Sequence, residues 1–277
     1  PEDTVLTFEL IENQLEISAL KFQADFSTLP VGDFPVTEIQ EFEREVALPG
    51  KELSDLIEKT SFAMASQDVR YYLNGILLEV SPSQINVVAT DGHRLAWSSC
   101  KIKTDFTDEK IIIPRKSALE LQKLLNLYPE NVNIAFNSNQ LKVFSDEYTF
   151  ISKLIEGSYP DYEKVFPKGT EQKLKANKSL VQTALNRAAV LSNEKYRGVK
   201  FILEKDNLKI CANNPSKESA EEEVLVEYSG DSFEIGFNIS YVQESLSVIS
   251  NNEVEFVFFG SENSCLVKNI DDESLIH

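Results

Sequence analysis

Cysteine is nearly missing from this sequence. Cys100, Cys211 and Cys265 are the three in 277 residues, and they lie far apart. Such sparse cysteine excludes a disulfide-framed scaffold and matches no zinc, iron–sulfur or thioredoxin spacing. The three read as small buried residues of a reducing compartment. Histidine is as scarce. His93 and His277 are the two present, too few for most histidine-based metal centres. No metal or cofactor is expected. No apolar run approaches ~18 residues, so no membrane-spanning helix is expected. No signal peptide is visible, and the expected location is the cytoplasm. The chain starts at Pro1 rather than Met and reads as a fragment of a longer protein.

Positive charge is also in short supply. Lys and Arg total 27 against 45 Asp and Glu, a formal net charge of −18. This excludes a protein that coats nucleic acid with its whole surface, because affinity of that kind comes from neutralised phosphates. A local basic lining on an acidic body is not excluded. Hydrophobic residues make up 42% and charged residues 26%, as in ordinary globular proteins. At about 100–200 residues per domain, two or three domains are expected, each able to bury its own core.

The chain repeats itself. Ser27, Leu29, Gly32, Phe34 and Pro35 recur 125 residues later as Ser152, Leu154, Gly157, Tyr159 and Pro160. Asn13-Gln14-Leu15 recurs as Asn139-Gln140-Leu141. Alternating apolar residues flank both copies: Leu6, Phe8, Leu10, and Val132, Ile134, Phe136. Period-two alternation around a polar turn predicts strand hairpins. Val254, Phe256 and Phe258 mark a fainter third copy. Within one copy, Leu48-Pro49-Gly50-Lys51 and Ile113-Pro114-Arg115-Lys116 each end an apolar strand and open a helical pattern. Pro at the first helical position explains both starts. Asn238 or Ser240 caps the equivalent helix of the third copy.

Each unit of about 125 residues therefore holds two halves, and each half reads strand, helix, three strands. The predicted elements are strand 45–48, helix 50–65, and strands 74–80, 84–90 and 93–98, then strand 110–113, helix 115–126, and strands 131–137, 140–145 and 148–154. The amphipathic helices pack one face on a sheet. The fold class is α+β, divided as 1–45, the tail of one unit, 46–165, one whole unit, and 166–277, most of another.

Three segments carry candidate chemistry. Val88 to Ala96 runs V-A-T-D-G-H-R-L-A, a strand entering an Asp-Gly hairpin turn. Asp91 and His93 read either as an acid/base pair or as a turn that shapes a surface groove. No nucleophile motif accompanies them. Gln67 to Leu73 and its counterpart Ser192 to Gly198 are polar loops with an aromatic and an Arg. Arg beside Tyr suits phosphate pairing and stacking on nucleic acid, and it equally suits a connection whose rings pack down. The helix from Arg115 carries Arg115, Lys116 and Lys123 with one acid, Glu120. That is a local positive face for a phosphate or a solvated helix face.

Taken together, Gln67 to Leu78 (Q-D-V-R-Y-Y-L-N-G-I-L-L), Val88 to Ala96, and Leu154 to Pro167 (L-I-E-G-S-Y-P-D-Y-E-K-V-F-P) resemble one family. So do Arg187 to Gly198 (R-A-A-V-L-S-N-E-K-Y-R-G) and Ile235 to Val242 (I-G-F-N-I-S-Y-V). The family is that of the bacterial DNA polymerase III beta subunit, the sliding clamps, and the resemblance runs the length of the chain. It implies the DNA-clamp fold of repeated domains. It also implies a homodimeric head-to-tail ring around double-stranded DNA, helices inside and sheets outside, and no catalysis. Partners would be the polymerase III alpha subunit, the clamp loader, and other polymerases and repair proteins, held through linear peptides of the Gln-Leu-x-Leu-Phe type.

The resemblance assigns DNA contacts to Gln67, Arg70, Tyr71, Tyr72, Arg115, Lys116 and Lys123. It assigns the peptide pocket to Leu73, Thr90, Gly92, His93, Arg94, Leu95, Pro160, Val165, Tyr196, Asn238, Tyr241 and Ser264. The dimer seam would include Phe26, Val190 and Leu191. Three departures stand out: Lys164 where Arg is common, Tyr196 where Phe is frequent, and no Met-Pro tail. With most of a first domain absent, the chain alone is expected not to close a ring. An enzyme using Asp91 and His93, or a scaffold with no DNA role, are the competing classes.

Overall fold

A computed structural model describes residues 3–34, 41–42, 44–104, 108–270 and 275–276. Pro35 of the repeated turn and His277 lie outside the described residues. The chain forms two compact units, Pro1–Glu41 and Phe42–His277.

The first unit is a three-stranded antiparallel sheet of β1 (Thr7–Ile11), β2 (Gln14–Ala19) and β3 (Phe22–Ser27), in that order. Two-residue loops close both hairpins, and Glu12 and Leu20 take positive φ of 54° and 53° to turn the chain. Register sets Phe8 opposite Ile17, Leu10 opposite Leu15, and Leu15 opposite Phe26. One face is therefore apolar. The other carries Glu9, Glu16 and Asp25 in a row across the strands. None of the described residues of this unit is buried, and Phe8 is 59% exposed.

The second unit holds two copies of one plan. The first copy runs β4 (Arg44–Pro49), α1 (Gly50–Ser61), β5 (Gly75–Val80), β6 (Gln84–Thr90), β7 (Leu95–Lys101), β8 (Glu109–Pro114), α2 (Arg115–Leu127), β9 (Asn131–Phe136), β10 (Gln140–Phe144) and β11 (Thr149–Lys153). The second runs β12 (Gln172–Asn177), α3 (Lys178–Ala189), β13 (Gly198–Glu204), β14 (Asn207–Asn213), β15 (Ser219–Leu225), the short β16 (Glu227–Tyr228), β17 (Phe233–Asn238), α4 (Ile239–Val248), β18 (Glu253–Phe258) and β19 (Leu266–Asn269). A last strand, β20 (Leu275–Ile276), pairs with β7.

The halves of each copy exchange their first strands. β4 pairs with β9 of the second half, and β8 with β5 of the first. In the second copy β12 pairs with β18, and β17 with β13. All these pairings are antiparallel. The amphipathic helices bury Leu53, Leu56 and Ile57 from α1, and Ala118, Leu121 and Leu125 from α2, against both sheets. The second core is more aromatic, with Phe201 edge-to-face on Phe237 and on Phe256 at 5.1 and 6.3 Å. No helix among the described residues is long and apolar enough to cross a membrane.

Strand and helix starts fall within about two residues of the sequence reading. Three details differ. Pro49 and Pro114 stand one residue before the helices, as extended N-cap residues with ψ of 130° and 144°. Each ends an edge strand, where a missing N–H removes no ladder bond. α1 stops at Ser61 rather than near residue 65. The Thr60 hydroxyl donates back to the Leu56 carbonyl at 2.8 Å, and the Ala63 and Met64 amides reach only three residues back, closing the helix in a tight turn. β7 begins at Leu95 rather than His93, because Thr90 pairs with Leu95 and leaves a four-residue loop.

The helices share one anchoring device. The first amide of each helix donates to the carbonyl just before the first strand that follows the other half's helix. The bonds run Gly50 to Glu130 at 2.8 Å, Arg115 to Asn74 at 2.9 Å, Lys178 to Asn252 at 2.8 Å and Ile239 to Arg197 at 2.7 Å. Side chains add to it where proline is absent: Asn177 accepts from the Leu180 amide, and Asn238 from the Ser240 amide. At Gly50 a Cβ would lie 2.5 Å from the Glu130 carbonyl oxygen. Gly50→Ala is therefore expected to lower unfolding free energy by about 1–3 kcal/mol, despite alanine's ~1 kcal/mol advantage inside helices. Urea denaturation checks this.

Candidate functional site

The four-residue loop Asp91–Arg94 is held by its own first side chain. One Asp91 oxygen accepts from the His93 and Arg94 amides at 2.9 and 3.1 Å; the other pairs with the Arg94 guanidinium at 3.1 Å. The Thr90 hydroxyl donates to the Arg94 carbonyl at 2.6 Å and accepts from the Gly92 amide. Gly92 has φ of 89°, and a Cβ there would meet the Arg70 guanidinium at 2.9 Å. Asp91 is thus a turn-former whose carboxylate is committed to the loop and to Arg94. It takes the backbone of His93, and the acid/base reading of the pair finds no support in this geometry.

Arg94 joins the two copies. Its guanidinium lies 5.2 Å from the Phe62 ring centroid and 4.5 Å from that of Tyr241. It donates to the Phe62 carbonyl at 2.8 Å and ion-pairs with Glu244 on α4. The His93 ring stacks on Tyr241 at 6.5 Å. Sequence reasoning selected Arg94 and Tyr241 but missed Glu244 and Phe62. The spacing of Tyr241 and Glu244, one helical turn apart, is the signal that was available.

The segment after β11 crosses the outer face of the β5–β8 sheet. It packs Tyr159, Tyr162 and Phe166 on Leu77, Val88 and Ile112. Between this segment, the Asp91–Arg94 loop and the second copy lies a cleft of about 710 Å³. Leu73, Thr90, Gly92, His93, Arg94, Leu95, Pro160, Val165, Asn238, Tyr241 and Ser264 all line it, from positions spread over the sequence. Arg70, Tyr72, Phe166 and Cys265 line it as well. Tyr196 does not. It is 68% exposed in the loop after α3, beneath the Lys195 ammonium. Desolvation pushes the Cys265 thiol pKa upward, so it offers no ready thiolate.

The loop before β5 borders the same cleft. Gln67 is exposed in a left-handed conformation with φ of 58°, and Tyr71 is exposed beside Tyr72. Arg70 makes two side-chain bonds to Asp68, at 3.0 and 2.8 Å, and a third to the Asp91 carbonyl at 3.1 Å. These bonds from Arg70 hold the Asp68 carboxyl at a pKa of about 2. On α2, Lys116 is exposed, Lys123 pairs with Glu120 at 2.9 Å, and Arg115 donates to the Met64 carbonyl at 3.1 Å. Val190 is 78% exposed after α3, Leu191 half-buried, and Phe26 exposed on β3.

Two family models match this chain: the central domain of the DNA polymerase III beta subunit over residues 47–161, and its C-terminal domain over residues 163–277. The chain belongs to the DNA polymerase III beta subunit family. It is similar to the beta sliding clamp of Pseudomonas aeruginosa, 43% identical over 99% of this chain and 75% of that protein. The beta sliding clamp of Escherichia coli K12 is 39% identical over the same shares. A crystal structure of the Pseudomonas aeruginosa DNA polymerase sliding clamp superposes with a TM-score of 0.96 at 42% identity, covering 100% of this chain and 76% of that one. The chain thus spans about three quarters of the length of these relatives. Its function is that of a sliding clamp, a processivity factor of DNA replication.

Two outcomes follow for the clamp's loops. Asp68's lowered pKa makes its tie to Arg70 fully present above the ordinary aspartate value of 3.8, and lost as pH falls through about 2. Carbon-detected NMR titration should place the Asp68 midpoint near 2, and Arg70→Ala should return it toward the ordinary value. Arg94→Ala, which strips Asp91 and the Phe62 carbonyl of their partner and opens the stack on Tyr241, should cost about 2–3 kcal/mol in chemical denaturation.

Proposed function

We propose that the cleft takes short linear peptides with bulky apolar anchors, and that these tether the clamp's partners. The single observation that carries this reading is the 710 Å³ cleft, walled by both copies and the connecting segment. Its lining mixes apolar surface from Leu73, Leu95, Val165 and Tyr241 with a few polar groups from Thr90, His93, Arg94 and Asn238. Such a lining suits a peptide fixed by two or three large side chains. Support comes from a related clamp of Pseudomonas aeruginosa, solved bound to griselimycin. The partners are the polymerase III alpha subunit, the clamp loader, and other polymerases and repair proteins.

The remaining roles follow the family. Residues 1–45 are the end of one clamp domain, 46–165 a second and 166–277 a third. The full-length protein closes as a head-to-tail homodimer around duplex DNA in the cytoplasm, with Phe26, Val190 and Leu191 at the seam. Gln67, Arg70, Tyr71, Tyr72, Arg115, Lys116 and Lys123 face the DNA. Retention is topological, so an acidic body serves, and the few cations act on phosphates within the Debye length of about 8 Å. The clamp makes and breaks no bond.

Fluorescence anisotropy of a labelled Gln-Leu-x-Leu-Phe peptide, beside a copy with its anchors changed to Ala, tests the cleft. Saturable binding of the first alone, displaced by griselimycin, is the expected result. His93→Ala should weaken it about three- to tenfold through loss of the face stacked on Tyr241. Equal binding of both peptides would sink the reading.

A further inference from the structure

One buried acid plays no part in the cleft or in the fold's shared plan. Glu79 lies on the outer face of β5, 9% exposed. Register sets Asn86 of β6 and Lys110 of β8 directly across from it on the two neighbouring strands. Asn86 donates to one Glu79 oxygen at 3.2 Å, and Lys110 ion-pairs with the other. The fourth member comes from far along the chain. The Tyr162 hydroxyl, in the connecting segment, donates to the oxygen that Asn86 also contacts. Tyr162 is 5% exposed, and burial together with Glu79 pushes its pKa upward, which keeps the phenol proton in place as the donor. Its ring meets Phe166 edge-on at 6.4 Å.

The same segment has a second attachment: the Tyr159 hydroxyl accepts from the Thr90 amide at 2.9 Å. At and around these two points lie Pro160, Tyr162, Val165, Phe166 and Pro167, one wall of the cleft, so Tyr162 turns its ring to the cleft and its hydroxyl to Glu79. Glu79 itself does not line the cleft. A buried carboxylate is costly unless fully paired, and here its pairing is completed by the wall it would hold.

We infer that Glu79, acting through Tyr162, is a positioning residue for the peptide cleft: it latches the connecting segment to the central sheet and so sets the cleft's wall. This rests on the peptide-binding reading, and the test separates the two. Hydrogen exchange reports the latch and peptide anisotropy reports its consequence. Glu79→Ala and Tyr162→Phe should each speed amide exchange across residues 159–167, leaving the α3 and α4 amides unchanged. Each should also weaken the labelled Gln-Leu-x-Leu-Phe peptide by about tenfold, the scale of one lost hydrogen bond to a charged group. Glu79→Gln keeps an oxygen to accept from Tyr162 and should bind within about threefold of the parent. Unchanged exchange in the segment would overturn the latch whether or not the peptide binds. Faster exchange with unchanged affinity would make the network purely structural and overturn the positioning role. Glu79→Gln as damaging as Glu79→Ala would show that the tyrosine bond is not what matters. Should Glu79→Ala fail to fold, Tyr162→Phe carries the same comparison, because it removes a single buried hydroxyl.

Discussion

Every helix in the second unit begins with an amide that belongs to the other half of its copy. The bond from Gly50 to Glu130 and its three equivalents run between 2.7 and 2.9 Å. A helix leaves its first four N–H groups without partners inside itself. Here the first of them is consumed at the point where the opposite half starts its meander. This single bond fixes where the helix begins, where the opposite sheet begins, and how far apart the two can be. The exchange of β4 and β8 between halves follows from it, because the strand leading into each helix is delivered alongside the opposite meander. Gly50 and Gly75 each sit where a Cβ would press within 2.5 Å of a backbone carbonyl oxygen.

That plan was legible in the sequence wherever it is written in alternation and punctuation. Val132, Ile134 and Phe136 announced a strand, Pro49-Gly50 and Pro114-Arg115 announced a junction, and the repeat of Asn13-Gln14-Leu15 at Asn139-Gln140-Leu141 announced the duplication. Contacts between distant segments were not legible. Nothing in the local sequence around Glu79 says that Tyr162 will reach it, and nothing around Arg94 names Phe62 or Glu244. Asp-Gly, the common hairpin signal, predicts a two-residue turn after Thr90, and the loop has four residues. What lengthened it is Asp91 capping both the His93 and Arg94 amides. Much of the candidate cleft was named from family motifs, and the family signal does not tell a lining residue from a neighbour. Tyr196 shows the difference.

The first unit holds one meander of the plan. Its β1–β3 meander carries the pattern of β9–β11, with Phe8 and Leu10 in the places of Ile134 and Phe136. Ile134 and Phe136 are buried under α1 and α2, while Phe8 and Leu10 are more than half exposed. The same side-chain alternation thus gives a core in one place and an apolar face in the other. The acids Glu9, Glu16 and Asp25 stand in a row on the opposite face.

The β5–β8 sheet departs from the plan in a way that produces the cleft. An antiparallel sheet commonly buries one face and wets the other. β5 is buried at all six positions, because helices cover its inner face and the connecting segment its outer one. A connecting segment has few side chains with which to hold a sheet, and the structure solves this with aromatics. Tyr159 and Phe166 add apolar area, while Tyr162 brings both area and a hydroxyl to the buried carboxylate of Glu79. Once the segment is fixed, its far edge stands opposite Arg94, whose guanidinium is stacked on Tyr241 and paired with Glu244 across the junction of the copies. The cleft is the gap that remains between these two attachments. Its width is set by one polar network beneath a wall and one cation between two rings, and each ties elements of the repeat to a residue outside them, Tyr162 in the connecting segment and Arg94 in the loop before β7.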